Sequence, residues 1–306
     1  MISLPRLPPA VGPGDRVGVA ALSGPVRPER LEAGVEALRR LGFEPVLAGN
    51  LLSRSRHGLF AGEDAERLAA FHRLAADPDL PAILFSRGGY GLPRLLPGID
   101  WDLLRRRPRV YMGYSDLTPF LLEVVRRLGL VTFHGPLVAA ELARGLTPDE
   151  EASFLDALAG RYPLSLPFRS WLRPPEGTVR GPLLGGCLSL LTATLGTRWF
   201  PDLEGAILFW EDVNEPPYRI DRQLTHLRLS DSLEKIAGMI VGHLDGGPGA
   251  PGADWPALVS DSLSGLDVPV AWGLESGHLQ PNWTLPLGLP ARLEGDDCRL
   301  WLGSSA

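Results

Sequence analysis

The first half of the chain alternates short apolar runs with helical patterns, and this alternation restricts the possible folds more than any other feature. Four apolar runs are bounded by Gly, Ser or Pro and cover residues 16–21, 82–85, 110–114 and 131–133. Helical patterns lie between or after them, over residues 28–41, 65–76 and 119–128. Apolar strands separated by helices are typical of βα units around a buried parallel sheet. The sequence therefore predicts an α/β fold.

The second half has a different pattern. Residues 161–180 are rich in Pro and aromatic residues and lack helical periodicity, as expected where a chain passes between domains. Strands follow at 206–210, 238–241 and 268–272, with a helix at 218–229. A chain of 306 residues is long enough for two domains. We therefore predict domains at 1–160 and 181–306, joined by a linker at 161–180, with the second domain rich in β-structure.

Composition excludes several classes of function. The net charge of -6 argues against nucleic-acid binding. Cys187 and Cys298 are far apart, which suits neither a disulfide framework nor a thiolate metal site. The uncharged stretch 181–197 is shorter than the about 20 residues that a membrane-spanning helix needs, so a buried segment is expected there. The N-terminus lacks the charged start and apolar core of a secretory signal, which predicts a cytoplasmic protein.

Ser115 follows an apolar strand and precedes a helix, in the segment Gly113-Tyr114-Ser115-Asp116. A strand–turn–helix elbow of this kind lifts a serine hydroxyl above the ends of the strands and places the next backbone amide where it can donate to an oxyanion. Leu117 stands where the elbow of α/β-hydrolases has its second Gly. From these residues alone, Ser115 is a candidate nucleophile or a simple helix cap.

A glycine-rich loop follows the apolar run 82–85. It contains Arg87, Gly88, Gly89 and Tyr90. Adjacent glycines let a backbone approach a ligand closely and direct successive N–H groups at an anion, although a tight turn has the same composition. Loops at the carboxyl ends of neighbouring parallel strands share one crevice, so we expect this loop to face Ser115.

An acid and a histidine complete the candidates for chemistry. Glu211 comes at the end of the strand 206–210, and His278 lies in a loop bounded by glycines. A carboxylate that emerges from a buried strand can orient an imidazole and stabilise its cation. The alternatives are a solvated loop acid and a structural histidine.

Five parts of the chain together resemble the LD-carboxypeptidase family of serine peptidases, which includes murein tetrapeptide carboxypeptidases and microcin immunity peptidases. The resemblance rests on their order and spacing, which are more specific than any one of them. The matching segments are 14–17 with 23–25, 86–91, 113–118, 211–213 with 215–222, and Gly277-His278 with 282 and 284–288.

The resemblance implies a Rossmann-like N-terminal domain, a β-rich C-terminal domain and an active site in the cleft between them. Ser115, Glu211 and His278 match the positions of the family's Ser-Glu-His triad. The implied oxyanion hole consists of the backbone N–H of Asp116 and of one glycine in the Gly88-Gly89 pair. Members of the family are usually homodimers and need no metal or other cofactor.

The expected reaction is hydrolysis of the bond between an L-centre, diaminopimelate or Lys, and a terminal D-amino acid in murein tetrapeptides, as in cell-wall recycling. Arg87 and Arg219 are candidates by location for holding the substrate carboxylate, and Tyr90 lies in the same loop as Arg87. Two alternatives remain open. One is an immunity peptidase that cleaves peptidyl-adenylate or aminoacyl-adenylate antibiotics, and the other is a non-catalytic protein that binds murein peptides.

Overall fold

The computed structural model describes residues 5–250, 252–295 and 297–303 of the 306-residue chain. The chain forms two compact units. The first runs to Arg161 and also includes Trp283–Pro286. The second consists of Tyr162–Asn282 and the residues from Leu287 onward. Each unit has its own sheet, and the four residues 283–286 return late in the sequence to the first unit.

The first unit has five strands that alternate with helices. They occur in the order β1 (Arg16–Ala20), α1 (Pro28–Arg40), β2 (Glu44–Leu47), α2 (Asp64–Ala76), β3 (Ala82–Phe85), α3 (Trp101–Arg106), β4 (Val110–Gly113), α4 (Thr118–Leu128), β5 (Thr132–His134) and α5 (Pro148–Leu158). All four runs predicted as strands from the sequence are strands. β2 was not predicted because it is only partly buried and contains Pro45.

The strands β2-β1-β3-β4-β5 are neighbours in that order, and every pair is parallel. This arrangement confirms the predicted Rossmann-like sheet. The strand order reverses direction between β1 and β3. In open α/β sheets, ligands bind outside the carboxyl ends of the strands at such a switch point. The loops after β1 and β3 therefore border the natural binding crevice of this unit.

Helix α1 shows how the sequence sets local structure in this unit. It starts with Pro28, buries Leu31, Val35 and Leu38 on one face, and is followed by Gly42 at a φ of 90°. Gly34 lies on the same face and packs directly on the backbone of a π-helical turn, Val138–Leu142. A Cβ at Gly34 would overlap the carbonyl oxygen of Val138.

The rest of the described chain, from residue 162 onward, contributes nine strands and three α-helices. They are β6 (Leu164–Pro167), β7 (Ser170–Arg173), β8 (Val179–Cys187), α6 (Leu188–Thr194), β9 (Ile207–Val213), α7 (Pro217–Leu229), β10 (Gly238–Asp245), α8 (Trp255–Ser262), β11 (Val270–Trp272), β12 (Leu285–Leu287), β13 (Pro290–Glu294) and β14 (Arg299–Leu302). Leu285 and Pro286 of β12 belong to the first unit, where they extend the sheet beside β5.

The sheet of the second unit has eight strands in the order β6-β14-β13-β8-β9-β10-β11-β7. Its centre, β8-β9-β10-β11, is parallel, whereas the outer strands pair antiparallel. The β-rich character predicted for this region is therefore correct. The segment 161–180, which the composition suggested was a linker, contributes β6 and β7 to the two ends of this sheet.

The uncharged stretch 181–197 forms most of β8 and all of α6. Among the residues that the structure describes, no helix is long and apolar enough to cross a membrane.

The contact at Gly34 gives a test of the packing. Alanine in a helix interior is normally about 1 kcal/mol more favourable than glycine, so Gly34→Ala would stabilise an isolated helix. In this fold the added methyl group must displace the Val138 backbone, and we expect a net loss of about 1–3 kcal/mol in the free energy of unfolding. Urea denaturation measures this free energy. Gly12→Ala is the control, since no atom lies within 4 Å of its Cβ position; a stabilised Gly34→Ala would contradict the packing.

Candidate active site

Ser115 lies at a sharp turn between β4 and α4. The strand ends at Gly113, a single 3-10 turn covers Ser115–Leu117, and α4 begins at Thr118. Ser115 has a φ of 63°, a left-handed conformation that non-glycine residues rarely adopt and that costs free energy unless neighbouring structure enforces it. The strand–turn–helix elbow predicted from the sequence is therefore present, with Ser115 at its strained position.

Gly88 lies directly against this elbow. A Cβ built on Gly88 would lie 2.7 Å from the Ser115 Cβ, 2.9 Å from its Oγ and 3.4 Å from the backbone nitrogen of Asp116. Only a residue without a side chain fits this approach. The glycine loop and the elbow of the first unit therefore face each other, as expected for neighbouring parallel strands.

Gly89 has different neighbours. Its Cβ position faces Gly24 in the loop after β1, and its φ is 105°. Gly24 N–H donates to the Gly88 carbonyl at 3.0 Å, so the loops after β1 and β3 are joined by backbone. The sequence left open which of the two glycines would belong to the implied oxyanion hole. In the structure, Gly88 is the one that lies beside Ser115.

A buried polar network ties these loops together. The Asp116 carboxylate accepts a hydrogen bond of 2.8 Å from Leu92 N–H, just after the glycine loop. The fully buried Arg67 donates to the carbonyls of Leu22 and Gly91 and to Asp64. Burial raises the pKa of Asp116, against the lowering effect of its hydrogen bonds. Sequence patterns gave no sign of this network, because Arg67 lies on an otherwise ordinary helix.

Glu211 and His278 form a close pair in the second unit. The Oε2 atom of Glu211 lies 2.6 Å from Nδ1 of His278 and 3.3 Å from its backbone N–H. The Glu211 side chain is fully buried, and the His278 side chain is 15% exposed. A carboxylate that accepts from Nδ1–H fixes the tautomer in which Nε2 carries the lone pair. The pair therefore has the geometry of an oriented general base.

An irregularity in β10 brings the histidine loop to Glu211. The register between β9 and β10 shifts between Val241 and Leu244, and the backbone of this bulge bonds to the loop through Val241, His243 and Ser276. Gly277, at a φ of 125°, lies so close that its Cβ would be 2.7 Å from Glu211 Oε2. Asn282 accepts from Gly277 N–H at 2.9 Å. Glycine is therefore required beside His278.

Asp212 follows Glu211 on β9 and points to the opposite side of the strand. Its carboxylate accepts hydrogen bonds from Ser189 N–H at 2.7 Å and from Val213 N–H at 2.9 Å. Burial, together with the nearby charge of Glu211, raises the pKa of Asp212 to about 6. The two acids therefore have separate partners, and Asp212 is a structural acid of this strand end.

The residues predicted to bind substrate lie in both units. Arg87 is exposed in the first unit and donates to the carbonyl of Pro25 at 3.0 Å. Tyr90, 60% exposed, packs its ring 5.6 Å from that of Phe60. Arg219, on α7 of the second unit, pairs with Glu215 at 3.5 Å.

The described part of the chain contains no group of three or more His, Cys, Asp and Glu side chains that could hold a metal ion. Both cysteines are free thiols. Burial raises the pKa of Cys187, and the nearby charge of Asp212 raises it further. This thiol is therefore poorly suited to act as a nucleophile.

The raised pKa of Asp212 predicts a specific pH dependence of stability. The native state holds this proton more tightly than the unfolded chain, so the stabilisation is complete below about pH 4 and is lost as the pH rises through about 6. Relative to wild type, Asp212→Asn should gain up to about 3 kcal/mol in the free energy of unfolding between about pH 4 and pH 7. Urea denaturation at both pH values checks this, with the exposed Asp202→Asn as control. An equal difference at the two pH values would contradict it.

Known proteins resemble the chain over nearly its whole extent and over most of their own. A protein of Streptomyces coelicolor, provisionally named a carboxypeptidase, is 39% identical over 98% of this chain and 96% of its own. A protein of Bacillus subtilis named a probable murein peptide carboxypeptidase is 34% identical over 96% of this chain and 93% of its own. The microcin C7 self-immunity protein MccF of Escherichia coli is 30% identical, over 96% of this chain and 95% of its own.

A solved structure agrees with these relatives. The muramoyltetrapeptide carboxypeptidase of Oxalobacter formigenes superimposes with a TM-score of 0.84 at 32% identity and covers 94% of this chain and 99% of its own.

Models of one protein family match both units. Residues 17–135 match the LD-carboxypeptidase N-terminal domain, and residues 180–293 match the LD-carboxypeptidase C-terminal domain. Together these matches cover most of the sequence, and the chain therefore belongs to the LD-carboxypeptidase family of peptidases.

Proposed function

We propose that the protein is a serine LD-carboxypeptidase, which releases the terminal D-amino acid from the L-centre of murein tetrapeptides. The observation that carries this proposal is the Glu211–His278 pair, with its 2.6 Å contact and fully buried carboxylate. The strained elbow at Ser115 supplies the matching nucleophile. The names of the Bacillus and Oxalobacter relatives support a murein peptide as substrate.

In the proposed reaction, Ser115 Oγ attacks the carbonyl carbon of the scissile peptide bond, and Nε2 of His278 accepts the hydroxyl proton. The imidazolium then gives this proton to the leaving amine as the C–N bond breaks, which releases the D-amino acid. Water, deprotonated by His278, hydrolyses the ester, and the proton returns to Ser115. Glu211 keeps the imidazole in the required tautomer and stabilises its cation.

The developing oxyanion requires backbone donors close to Ser115. We assign this role to the N–H groups of Asp116 and of the Gly88-Gly89 pair. The contacts of Gly88 with Ser115 and with the Asp116 nitrogen support Gly88 as the glycine involved. The Asp116 side chain, through its bond to Leu92, supports the position of its own amide relative to the glycine loop.

The proposal includes a cytoplasmic location, where murein fragments are recycled, and a homodimer. The homodimer comes from the resemblance to the family, and the location is the expectation given in the sequence analysis. Size-exclusion chromatography with light scattering tests the dimer; a monomer at micromolar concentration would contradict it.

An immunity function is the second candidate, because the self-immunity protein MccF is 30% identical over nearly the full length. Such a peptidase would use the same triad on an aminoacyl-adenylate compound. The two functions differ in the leaving group. It is a D-amino acid for the carboxypeptidase and a nucleotide for the immunity peptidase.

Replacement of the nucleophile gives the main test. Wild-type protein should release D-Ala from L-Ala-γ-D-Glu-meso-diaminopimelate-D-Ala, and Ser115→Ala should lower kcat by about 10³-fold or more, because no acyl-enzyme can form. Glu211→Gln should lower kcat by several orders of magnitude with less effect on KM, since it disturbs the tautomer of His278. Chromatographic detection of D-Ala measures both.

The control variant is Ser53→Ala, which removes a serine that bonds only to the exposed side chain of Glu66. Unchanged release by Ser115→Ala would exclude Ser115 as nucleophile. Cleavage of an aminoacyl sulfamoyl adenosine without any release of D-Ala would favour the immunity function. Binding of the tetrapeptide without turnover of either compound would indicate a non-catalytic binding protein.

The approach of Gly88 to the elbow provides a second test. The methyl group of Gly88→Ala would lie 2.7 Å from the Ser115 Cβ, so the serine or the loop must shift. A displacement of about 1 Å at a reacting group is enough to lower kcat about 10²-fold. We expect that loss with a thermal midpoint close to wild type. Gly12→Ala is the control, and wild-type kcat in Gly88→Ala would contradict the assigned contact.

A further inference from the structure

A cavity of about 450 Å³ lies at the switch point of the first unit and takes no part in the chemistry assigned above. It is bounded by the start of α1, by the glycine loop and by the π-helical turn that packs on Gly34. Its charged lining consists of Arg27, Arg30, Arg87, Arg144 and Glu141. These residues have a formal charge of +3 in a chain whose net charge is -6. This concentration of positive charge indicates an anionic ligand.

Two of the charged groups in the lining have their own partners within the protein. Arg144 forms an ion pair of 2.6 Å with the fully buried Glu150. The two carboxylate oxygens of Glu141 accept hydrogen bonds from the Tyr114 hydroxyl at 2.8 Å and from Leu137 N–H at 2.9 Å. These contacts make Arg144 and Glu141 parts of the wall.

The other three guanidinium groups retain their charge. Arg27 and Arg30 are exposed at the start of α1 and have no ion-pair or hydrogen-bond partner for their side chains among the residues that the structure describes. Among the described residues, the Arg87 side chain donates to the carbonyl of Pro25 alone, which does not neutralise it. Three arginines that line one cavity without an acid paired to any of them concentrate positive charge there, which a bound anion would offset.

Two residues of the cavity lining connect it to the segments around the proposed nucleophile. Arg87 is the residue immediately before Gly88, which touches Ser115. Glu141 bonds to Tyr114, the residue immediately before Ser115. A peptide whose carbonyl reaches Ser115 would therefore lie next to segments that also line this positively charged cavity.

We propose that Arg27, Arg30 and Arg87 form a carboxylate-binding site for the peptide substrate; this inference rests on the proposed function. Guanidinium groups bind carboxylates through two parallel hydrogen bonds, which gives both affinity and orientation. A murein tetrapeptide offers carboxylates on both sides of the scissile bond. The leaving residue has its C-terminal carboxylate, and the acyl part has those of γ-linked D-Glu and of diaminopimelate.

The test is the double variant Arg27→Gln/Arg30→Gln, in the full-length protein. Loss of binding that is equal in the ground state and the transition state raises KM and leaves kcat unchanged. We expect KM for the tetrapeptide to rise about 10- to 100-fold, with kcat within about threefold of wild type. Arg27→Lys/Arg30→Lys should recover part of the loss. Arg87 is kept, because its bond to Pro25 also holds the loop.

Arg39→Gln is the matched control, since Arg39 lies on helix α1, is 60% exposed and pairs with Glu36. Thermal midpoints of all variants report whether the fold is retained.

Two modified substrates distinguish the source of the carboxylate. The first has a C-terminal amide, and the second has D-isoglutamine in place of γ-linked D-Glu, which removes the free carboxylate there. If wild type prefers the free acid over one of these compounds and the double variant does not, that carboxylate is the one bound. Loss of either preference supports the site.

The outcomes separate the two proposals. Wild type that releases no D-Ala overturns the proposed function and this ligand with it. Wild type that releases D-Ala, with KM and both substrate preferences unchanged in Arg27→Gln/Arg30→Gln, overturns the carboxylate site alone. The same rise of KM in Arg39→Gln would show a general effect of net charge and would also overturn the site.

Discussion

The loops that leave β1, β3 and β4 pack against one another, and this close approach fixes the conformation around Ser115, the proposed nucleophile. Gly24 donates to Gly88, and Gly88 lies so close to Ser115 that no side chain fits between them. The left-handed conformation of Ser115 is strained, so packing on the glycine loop must help to hold it. The same condition recurs in the second unit, where Gly277 brings the His278 backbone against Glu211.

Burying charged side chains costs free energy, and in this fold each buried charged group has its own polar partners. Alternation along β9 directs Glu211 toward the histidine loop and Asp212 toward the start of α6, so adjacent acids do not compete for one partner. Arg67 is compensated by carbonyls and Asp64. The arginines around the cavity of the first unit contrast with these groups, since Arg27 and Arg30 have no compensating acid in the described structure. The compensated charges support the fold, and the arginines at the cavity are the ones proposed to bind a ligand.

Much of the fold was predictable because its signals are local. Buried parallel strands are continuous apolar runs, and helices such as α1 carry both periodicity and end signals. Secondary-structure prediction failed for three segments whose sequence signals are weak or were not used. β2 is partly exposed and contains proline, and residues 161–180 resemble a linker because edge strands need few apolar residues. Helix α5 was overlooked although Thr147 and Glu150 form a capping box that the sequence displays.

The sequence by itself determined the fold class, the elbow at Ser115 and the candidate residues for the proposed acyl transfer, because strand, turn and helix signals depend on near neighbours in the chain. Only the tertiary structure decided which groups meet within each unit. It selected Gly88 over Gly89 as the neighbour of Ser115, joined Glu211 to His278 across 67 positions, and gathered Arg27, Arg30 and Arg87 at one cavity. Such contacts depend on strand order and on the bulge in β10, which local patterns do not encode.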